Sequence, residues 1–343
     1  MLLLVLAACG APAPAETLFT QVELPAGAVP ARLAAMGADL LVGFERDGRP
    51  GLLLHHADGA DTEIPLTPAT GYGAEALWYS LATHGSEIVA LGGRSGGAHG
   101  NPRWSVWRGT ADGVAEQPQS FNTFGGIYAG ALLDVTYPSA GPQLVGTWMS
   151  AQAGSDVAVW TPTGAEWIRG SSAGTALEST RTVLNYPLSA TSHGADLVVA
   201  GWQLTGGRQR PVVWTRRDGV TTVTPLPDAG RAGTAIAVTC ANDCAVAGRV
   251  DGRLAVWRGR GNAWRRVAEV PDVPVGDNDR PQAPLGDTLV YSDRGTIHIG
   301  TLGGDIRSAR GPTGVVTAVA RVGDTTYVLA GPEDNKRTLW RAG

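Results

Sequence analysis

A short apolar segment ending in tryptophan recurs along this chain and constrains its fold more than any other feature. Each copy is followed within a few residues by a glycine. The tryptophans are Trp107, Trp160, Trp214, Trp257 and Trp340. Self-similarity with a period of roughly 40 to 50 residues is typical of propellers and solenoids. The chain is therefore predicted to be an array of similar units.

Two further copies lack the tryptophan. Successive tryptophans are 53, 54, 43 and 83 residues apart. Since the last spacing is nearly double the others, one unit lies inside it, and Ile299 is predicted to take the tryptophan's place. Upstream, Leu54 takes that place because the following Asp58–Gly59 pair matches Asp218–Gly219. The sequence therefore predicts seven units.

Each unit shows the pattern of four short strands. Two apolar strands joined by a tight turn come first, then a variable loop, the strand with the repeat position, a glycine turn and a fourth strand. The 48 glycines and 22 prolines suit short strands joined by turns. Four strands per unit are typical of a propeller blade. The predicted fold is all-β, a seven-bladed β-propeller with four-stranded antiparallel blades.

The ring is predicted to close through the N-terminal segment. Only three residues follow Trp340, so the seventh unit has no outer strand of its own. The segment Thr17–Pro25 ends in Leu-Pro, as does the fourth strand near Leu226–Pro227. We therefore expect this N-terminal strand to complete the last blade and remove two open sheet edges.

The first nine residues resemble the signal of a bacterial lipoprotein. An apolar run from Leu2 to Ala8 ends in Leu-Ala-Ala followed by Cys9, as in a lipobox, although no Lys or Arg precedes the run. The resemblance implies lipidation of Cys9 and anchoring at the outer face of the cytoplasmic membrane. The predicted organisation is a signal peptide (1–8), a tether (9–16) and the propeller (17–343). The alternative is an ordinary signal peptide with a chance cysteine.

The repeats also resemble a known family. The tryptophan strand, glycine turn and second aromatic, as in VWTPTGAEW and VWRGRGNAW, are similar to degenerate BNR or sialidase-type Asp-box repeats, and the period is WD40-like. Asp58, Asp112 and Asp218 are the nearest acidic counterparts, and no copy carries the full Asp-box pattern. Sialidase activity requires an arginine triad, a tyrosine with a glutamate partner and an acid. The sequence does not place this set, so we predict no catalytic residue.

Cys240 and Cys244 remain once Cys9 is assigned to lipidation. An even pair in an exported protein is typical of a disulfide, here in the hairpin between the first two strands of the fifth unit. It is similar to the hairpin cysteine pairs of secreted actinobacterial propeller repeats. The alternative is a metal site, but no histidine or second cysteine pair lies nearby. We expect no metal and no cofactor.

Candidate ligand-binding residues come from three long loops. The loops span residues 94–103, 121–130 and 170–187, on the face where propellers usually bind ligands. Their polar and aromatic side chains suit polar or glycan-like groups: Arg94, His99, Arg103, Tyr128, Glu178, Arg181 and Asn185.

The functional prediction is a membrane-anchored, extracytoplasmic binding or scaffold module for a protein or cell-envelope glycan. We expect a monomer. With 27 basic and 31 acidic residues and no basic cluster, nucleic acid is not an expected partner. Two alternatives remain open at this point. One is a glycan-directed hydrolase or lyase of the sialidase-like propeller type, and the other is a purely structural envelope protein.

Overall fold

The structure is a computed structural model that describes residues 16–96, 100, 102–332 and 336–343. Its strands form seven sheets, arranged as the blades of one ring. The predicted all-β, seven-bladed propeller is therefore confirmed. The signal peptide, Cys9 and all but the last residue of the predicted tether lie outside the described residues.

The strands are numbered in chain order. The N-terminal segment forms β1 (Thr17–Leu18) and β2 (Thr20–Val22). Blade 1 contains β3 (Val29–Met36), β4 (Asp39–Arg46), β5 (Arg49–His55) and β6 (Asp61–Ile64), followed by β7 (Leu66–Thr67) and α1 (Gly71–Ala74). Blade 2 contains β8 (Leu77–His84), β9 (Glu87–Ser95), β10 (Pro102–Thr110) and β11 (Gly113–Gln117), followed by α2 (Phe121–Phe124). Blade 3 contains β12 (Ala129–Thr136), β13 (Gln143–Met149), β14 (Ser155–Thr163) and β15 (Glu166–Arg169).

The second half of the ring follows the same order. Blade 4 contains β16 (Val183–His193), β17 (Asp196–Thr205), β18 (Arg208–Arg217) and β19 (Val220–Pro225). Blade 5 contains β20 (Gly233–Cys240), β21 (Cys244–Val250), β22 (Arg253–Arg260) and β23 (Ala263–Arg266). Blade 6 contains β24 (Thr288–Asp293), β25 (Thr296–Thr301) and β26 (Ile306–Thr313), and blade 7 contains β27 (Val315–Val322), β28 (Thr325–Gly331) and β29 (Thr338–Ala342).

The seven predicted repeat positions all lie in the third strand of a blade. They are Leu54 in β5, Trp107 in β10, Trp160 in β14, Trp214 in β18, Trp257 in β22, Ile299 in β25 and Trp340 in β29. The innermost strand of blade 6 is irregular. Leu285 pairs with Thr288 at the start of β24, which makes β24 the second strand and β25 the third.

The N-terminal segment closes the ring, as predicted, and also contacts a second blade. β2 pairs antiparallel with β29, with Gln21 opposite Trp340. β1 pairs parallel with β26 of blade 6, which the sequence did not indicate. Between them Phe19 is 3% exposed and packs into the apolar cluster between blades 6 and 7. The segment therefore joins the two blades through both backbone and side chain.

The core is divided among the contacts between neighbouring blades. Seven apolar clusters fill these contacts, and four of the repeat tryptophans are less than 2% exposed within them. The indole of Trp160 donates to the carbonyl of Thr123, at 3.1 Å. Trp214 donates in the same way to Ala176, also at 3.1 Å. Because both acceptors lie in linkers between blades, these two tryptophans fix the linker as well as the core.

The innermost strands share a β-bulge that interrupts their hydrogen-bonded pairing with the second strand. Six of them have a register shift at the same position, where an extra residue bulges out of the pairing with the second strand. We call the residue after each bulge the ring position. The ring positions are Arg32, Ser80, Asp134, Ser189, Ala237 and Ala318.

Two further features concern the cysteines and the helices. Cys240 and Cys244 form a disulfide across the hairpin between β20 and β21, as predicted. Among the described residues, no helix is long and apolar enough to cross a membrane.

Candidate functional site

The two faces of the ring differ in their connections. We call the face with the loops that leave the second and fourth strands the loop face, and the opposite one the hairpin face. The described parts of all three loops predicted to bind a ligand lie on the loop face of blades 2 to 4. His99 is outside the described residues, so six candidates can be placed.

Arg103 lies at the centre of an aromatic group on the loop face. Its guanidinium is 4.9 Å from the ring centre of Phe121 and 6.0 Å from that of Tyr72. Arg94, on the neighbouring strand, has its Nε 3.9 Å from a carboxylate oxygen of Glu75. The rings are 41% exposed at Tyr72 and 59% exposed at Phe121. Arg103 is therefore stacked between aromatic groups that face solvent.

The linker that follows Phe121 carries further exposed side chains to blade 3. Tyr128 and its neighbour Ile127 are 54% and 80% exposed. The N–H of Met149 donates to the carbonyl of Tyr128 at 2.8 Å, which places an exposed methionine beside them. We define the Arg-aromatic patch as Tyr72, Arg103, Phe121, Ile127, Tyr128 and Met149. It contains five of the eleven exposed large hydrophobic side chains among the described residues.

The third candidate loop, 170–187, is held by buried polar groups. Asn185 is 2% exposed, and its amide donates to the carbonyls of Leu177 and Glu178 at 3.1 and 3.0 Å. Asp156 accepts a bond from the N–H of Ser179 at 2.7 Å. Asn185 therefore holds the loop from inside and is not on the patch surface.

The two charged candidates of that loop have different surroundings. A carboxylate oxygen of Glu178 accepts from the N–H of Gly174 at 2.8 Å, so it stabilises the loop locally. Arg181 is exposed. The structure thus brings Arg103 and Tyr128 into one patch with Arg94 beside it, while Glu178, Arg181 and Asn185 belong to the neighbouring loop.

A central cavity of about 760 Å³ runs into the ring. Its walls are the later halves of the innermost strands, so it lies toward the hairpin face. The described candidate residues do not line it. The lining includes one carboxylate, Asp134, and two cations, Arg32 and Arg321, among hydroxyl-bearing and aliphatic residues.

Four ring positions link neighbouring blades through hydrogen bonds, three by accepting from a backbone N–H and Arg32 by donating to the carbonyl of Tyr79. Ser80 accepts from the N–H of Val135 at 3.2 Å. Asp134 accepts from the N–H of Ala190 at 2.7 Å. Ser189 accepts from Val238 at a longer 3.4 Å. A side chain of each inner strand therefore satisfies a backbone donor of the next, from blade 2 to blade 5.

Asp134 is the one carboxylate in this series. Burial raises the pKa of Asp134 to about 6, while the N–H of Ala190, the hydroxyls of Ser80 and Ser189 and the charge of Arg32 act to lower it. Loss of hydration disfavours the charged form of a carboxyl, so burial dominates here.

Arg32 occupies the ring position of blade 1. Its Nε donates to the carbonyl of Tyr79 at 2.5 Å, and its Nη1 donates to that of Ala31 at 2.7 Å. Burial and then the nearby charge of Arg337 lower the pKa of Arg32. Among the described residues, no carboxylate lies within 4.0 Å of this guanidinium. Motif reasoning missed Arg32 and Asp134, although alignment of the inner strands could have shown that they differ from the small residues at equivalent positions.

An aromatic group lies at the hairpin-face end of the cavity. The rings of His84 and Tyr137 are stacked, with centres 4.8 Å apart. The hydroxyl of Tyr137 donates to Glu87, which also lies 3.5 Å from Arg108. Burial, followed by the hydrogen bond to Glu87, raises the pKa of Tyr137. This tyrosine is therefore stabilised in its neutral form.

Comparisons with known proteins support the fold alone. No family model matches the chain, and no curated protein matches it significantly. A catalytically inactive virginiamycin B lyase from Staphylococcus aureus, solved with quinupristin, is similar at 14% identity and a TM-score of 0.58, covering 95% of this chain and 99% of that one. YCF48 from Cyanidioschyzon merolae is 13% identical with a TM-score of 0.57, covering 94% and 98%.

A third similar structure differs in its closure. The β-propeller domain of the Trilobed protease from Pyrococcus furiosus is 12% identical with a TM-score of 0.57, covering 92% of this chain and 95% of that domain. That domain is described as having an open velcro topology. Here β2 closes the ring on β29. Among the described residues, no group of three or more His, Cys, Asp and Glu side chains could hold a metal ion.

Proposed function

We propose that this chain is a non-enzymatic binding module of the bacterial cell envelope that holds a partner protein on its Arg-aromatic patch. The observation that carries this proposal is the stacking of Arg103 on the exposed rings of Phe121 and Tyr72. Interface cores are enriched in aromatic residues, methionine and arginine. Tryptophan, tyrosine and arginine provide most hot spots, so the patch has the composition of a binding site.

The support beneath the patch favours binding without large rearrangement. Trp160 fixes the linker that carries Phe121 and Tyr128 through its bond to Thr123. A surface held by a rigid scaffold loses less conformational entropy when a partner docks. The binding residues are therefore expected to be preorganised.

We further propose that Cys9 is lipidated and that the protein is anchored to the outer face of the cytoplasmic membrane. The disulfide between Cys240 and Cys244 supports an exported location, because such bonds persist mainly in oxidising compartments. The N-terminal strands lie on blades 6 and 7, across the ring from the patch on blades 2 and 3. This arrangement leaves the patch accessible on an anchored protein.

The alternative function, a glycan-directed hydrolase or lyase, has less support. Glycoside hydrolysis usually needs two carboxyl groups flanking the bond, and Asp134 is the one carboxylate among the described residues that line the cavity. A nucleophilic tyrosine would need a lowered pKa, whereas the pKa of Tyr137 is raised.

The experiment is photo-crosslinking in living cells. A photoreactive amino acid at Tyr128 is expected to give one discrete protein adduct, and the same group at Val220, which is 70% exposed on the hairpin face, is expected to give none. Combining the probe at Tyr128 with Arg103→Ser should abolish the adduct. Equal adducts at both positions, adducts to glycan alone, or no loss with Arg103→Ser would contradict the proposal.

The anchor has its own test. Labelled fatty acid is expected to enter the native chain and not the Cys9→Ser variant, which should also be released from the membrane fraction. Membrane retention without labelled acyl chains would contradict lipidation at Cys9.

A further inference from the structure

We propose that the central cavity binds a small oxyanion, a carboxylate or a phosphate group, with Arg32 as the anion-binding residue. This site lies toward the opposite face from the Arg-aromatic patch and does not depend on the function proposed for that patch. Three observations support it: the departure of Arg32 from the ring pattern, the lack of a carboxylate within ion-pair distance among the described residues, and the polar space beside it.

Ring assembly uses one donor of Arg32, whose Nε joins blade 1 to the carbonyl of Tyr79 in blade 2, but it does not require the other donors or the charge of an arginine. Equivalent positions in other blades hold serine, aspartate or alanine. Ser80, Asp134 and Ser189 accept a backbone N–H of the next blade, which arginine cannot do because it has no acceptor. At Ala237 and Ala318 the ring is built with no polar side chain at all. Arg32 is therefore an exception within an otherwise repeated structure.

No carboxylate in the described part of the chain forms an ion pair with Arg32. The guanidinium has five N–H donors, of which Nε and Nη1 donate to the carbonyls of Tyr79 and Ala31. Neutral carbonyls orient the group without cancelling its charge. Asp134 acts on Arg32 through its charge but lies beyond ion-pair distance. A half-buried charge without an ion pair is costly, and an oxyanion bound beside Arg32 would reduce that cost.

The positive potential and the polar wall both suit such a ligand. Arg337 lies close enough for its charge to lower the pKa of Arg32. The wall of the cavity of about 760 Å³ carries the hydroxyl of Thr191, while the hydroxyls of Thr83 and Thr239 donate to the carbonyls of Ala35 and Pro284. Arginine binds carboxylate and phosphate through paired N–H donors, and the Thr191 hydroxyl can donate to another oxygen of a ligand in the cavity. The site is large enough for an organic ligand and not only for an inorganic ion.

The test is a titration of the full chain, followed through the side-chain Nε–H resonances of arginine in NMR spectra. The probes are succinate and inorganic phosphate, with succinamide as the uncharged control. One oxyanion is expected to shift the Arg32 resonance in a saturable manner, while succinamide leaves it unchanged. The probe that saturates first identifies carboxylate or phosphate as the group recognised. The resonance is assigned by its loss in Arg32→Lys.

A matched pair of variants distinguishes a specific anion-binding site from nonspecific electrostatic attraction to the cavity. Arg32→Gln should weaken binding by about tenfold or more, since hydrogen bonds to charged groups are strong. Arg321→Gln removes the same charge from the same cavity, where Arg321 lies 3.6 Å from Asp324, and should change the affinity by less than about twofold. No saturable shift in the native chain, or equal weakening by both variants, would overturn the proposal. The native titration remains decisive even if Arg32→Gln does not fold.

Discussion

The carboxylate of Asp134 accepts a hydrogen bond from the N–H of Ala190 at 2.7 Å, and so joins the inner strand of blade 3 to that of blade 4. Serine performs the same role one blade earlier, at Ser80, and one blade later, at Ser189. Since a hydroxyl suffices for this bond, the negative charge of Asp134 is not needed for assembly. The effect of this charge on stability can therefore be tested without removing the hydrogen bond between the two blades.

We predict that Asp134→Ser makes the protein more stable at neutral pH. The pKa of Asp134 is about 6 in the folded chain against an ordinary 3.8, so the folded state binds this proton more tightly than the unfolded state. Its contribution to the free energy of unfolding therefore falls as the pH rises from about 4 to about 7. The serine variant does not lose stability in this way. Above pH 6 its free energy of unfolding should therefore exceed that of the native chain by an amount that approaches about 3 kcal/mol.

Urea unfolding of both proteins across this pH range measures the difference directly. Glu166→Gln, an exposed carboxylate of the same blade, is the control and should change little with pH. An Asp134→Ser variant less stable than the native chain at neutral pH would show that the carboxylate, even when ionised, contributes more than its burial costs.

Trp214→Phe is predicted to lower the free energy of unfolding by about 3 kcal/mol, because it leaves the carbonyl of Ala176 without its donor and removes buried volume. Hydrogen exchange should rise in the 170–187 loop. Trp264→Phe is the control, since its indole bonds only to Gly261 in its own hairpin. Similar losses in the two variants would contradict a special role of the repeat tryptophan in holding the linker.

Phe19→Ala is predicted to destabilise the protein by about 3 kcal/mol or more, whereas Leu18→Ala changes stability by less than about 0.5 kcal/mol. The two residues are adjacent, but Phe19 is 3% exposed and Leu18 is 68% exposed. Hydrogen exchange in β26 and β29 should increase in the Phe19 variant before it increases in blade 3. Uniform exchange around the ring would argue against local opening at the closure.

Replacing both Cys240 and Cys244 by serine is predicted to cost about 2 kcal/mol, because the disulfide closes only a short loop. The effect should be confined to the β20–β21 hairpin, as measured by hydrogen exchange with and without the bond. Complete unfolding of the ring in the double variant would show that this disulfide stabilises far more than one hairpin.

Much of the fold could be predicted from sequence because the repeated residue has one structural role. The tryptophans fill equivalent contacts between blades, so their spacing indicated the unit length and the number of blades. Two features had weaker signals. β1 has only two residues, too few for a recognisable strand pattern. The inner strand of blade 6 makes a single bridge at Leu285 and lacks the regular alternation of the others.

The candidate sites were less predictable because exposure and burial depend on tertiary packing. Loop position indicated Arg103 and Tyr128, which lie on the loop face, Arg103 beside Phe121 and Tyr128 exposed. The same reasoning selected Asn185, which is buried under its own loop. Phe121 and Tyr72 have no sequence signal that separates them from core aromatic residues. Arg32 can be recognised as an exception only when the inner strands are aligned at their β-bulges.

Oxidative footprinting in intact cells tests the proposed binding function most directly. Hydroxyl radicals readily modify exposed methionine and aromatic side chains, so Met149, Phe121 and Tyr128 report on the patch, and His84 reports on the hairpin face. Compared with the purified protein, we predict strong protection of the three patch residues in cells and unchanged modification of His84. Equal modification of the patch in cells and in purified protein would contradict the claim that a partner occupies it.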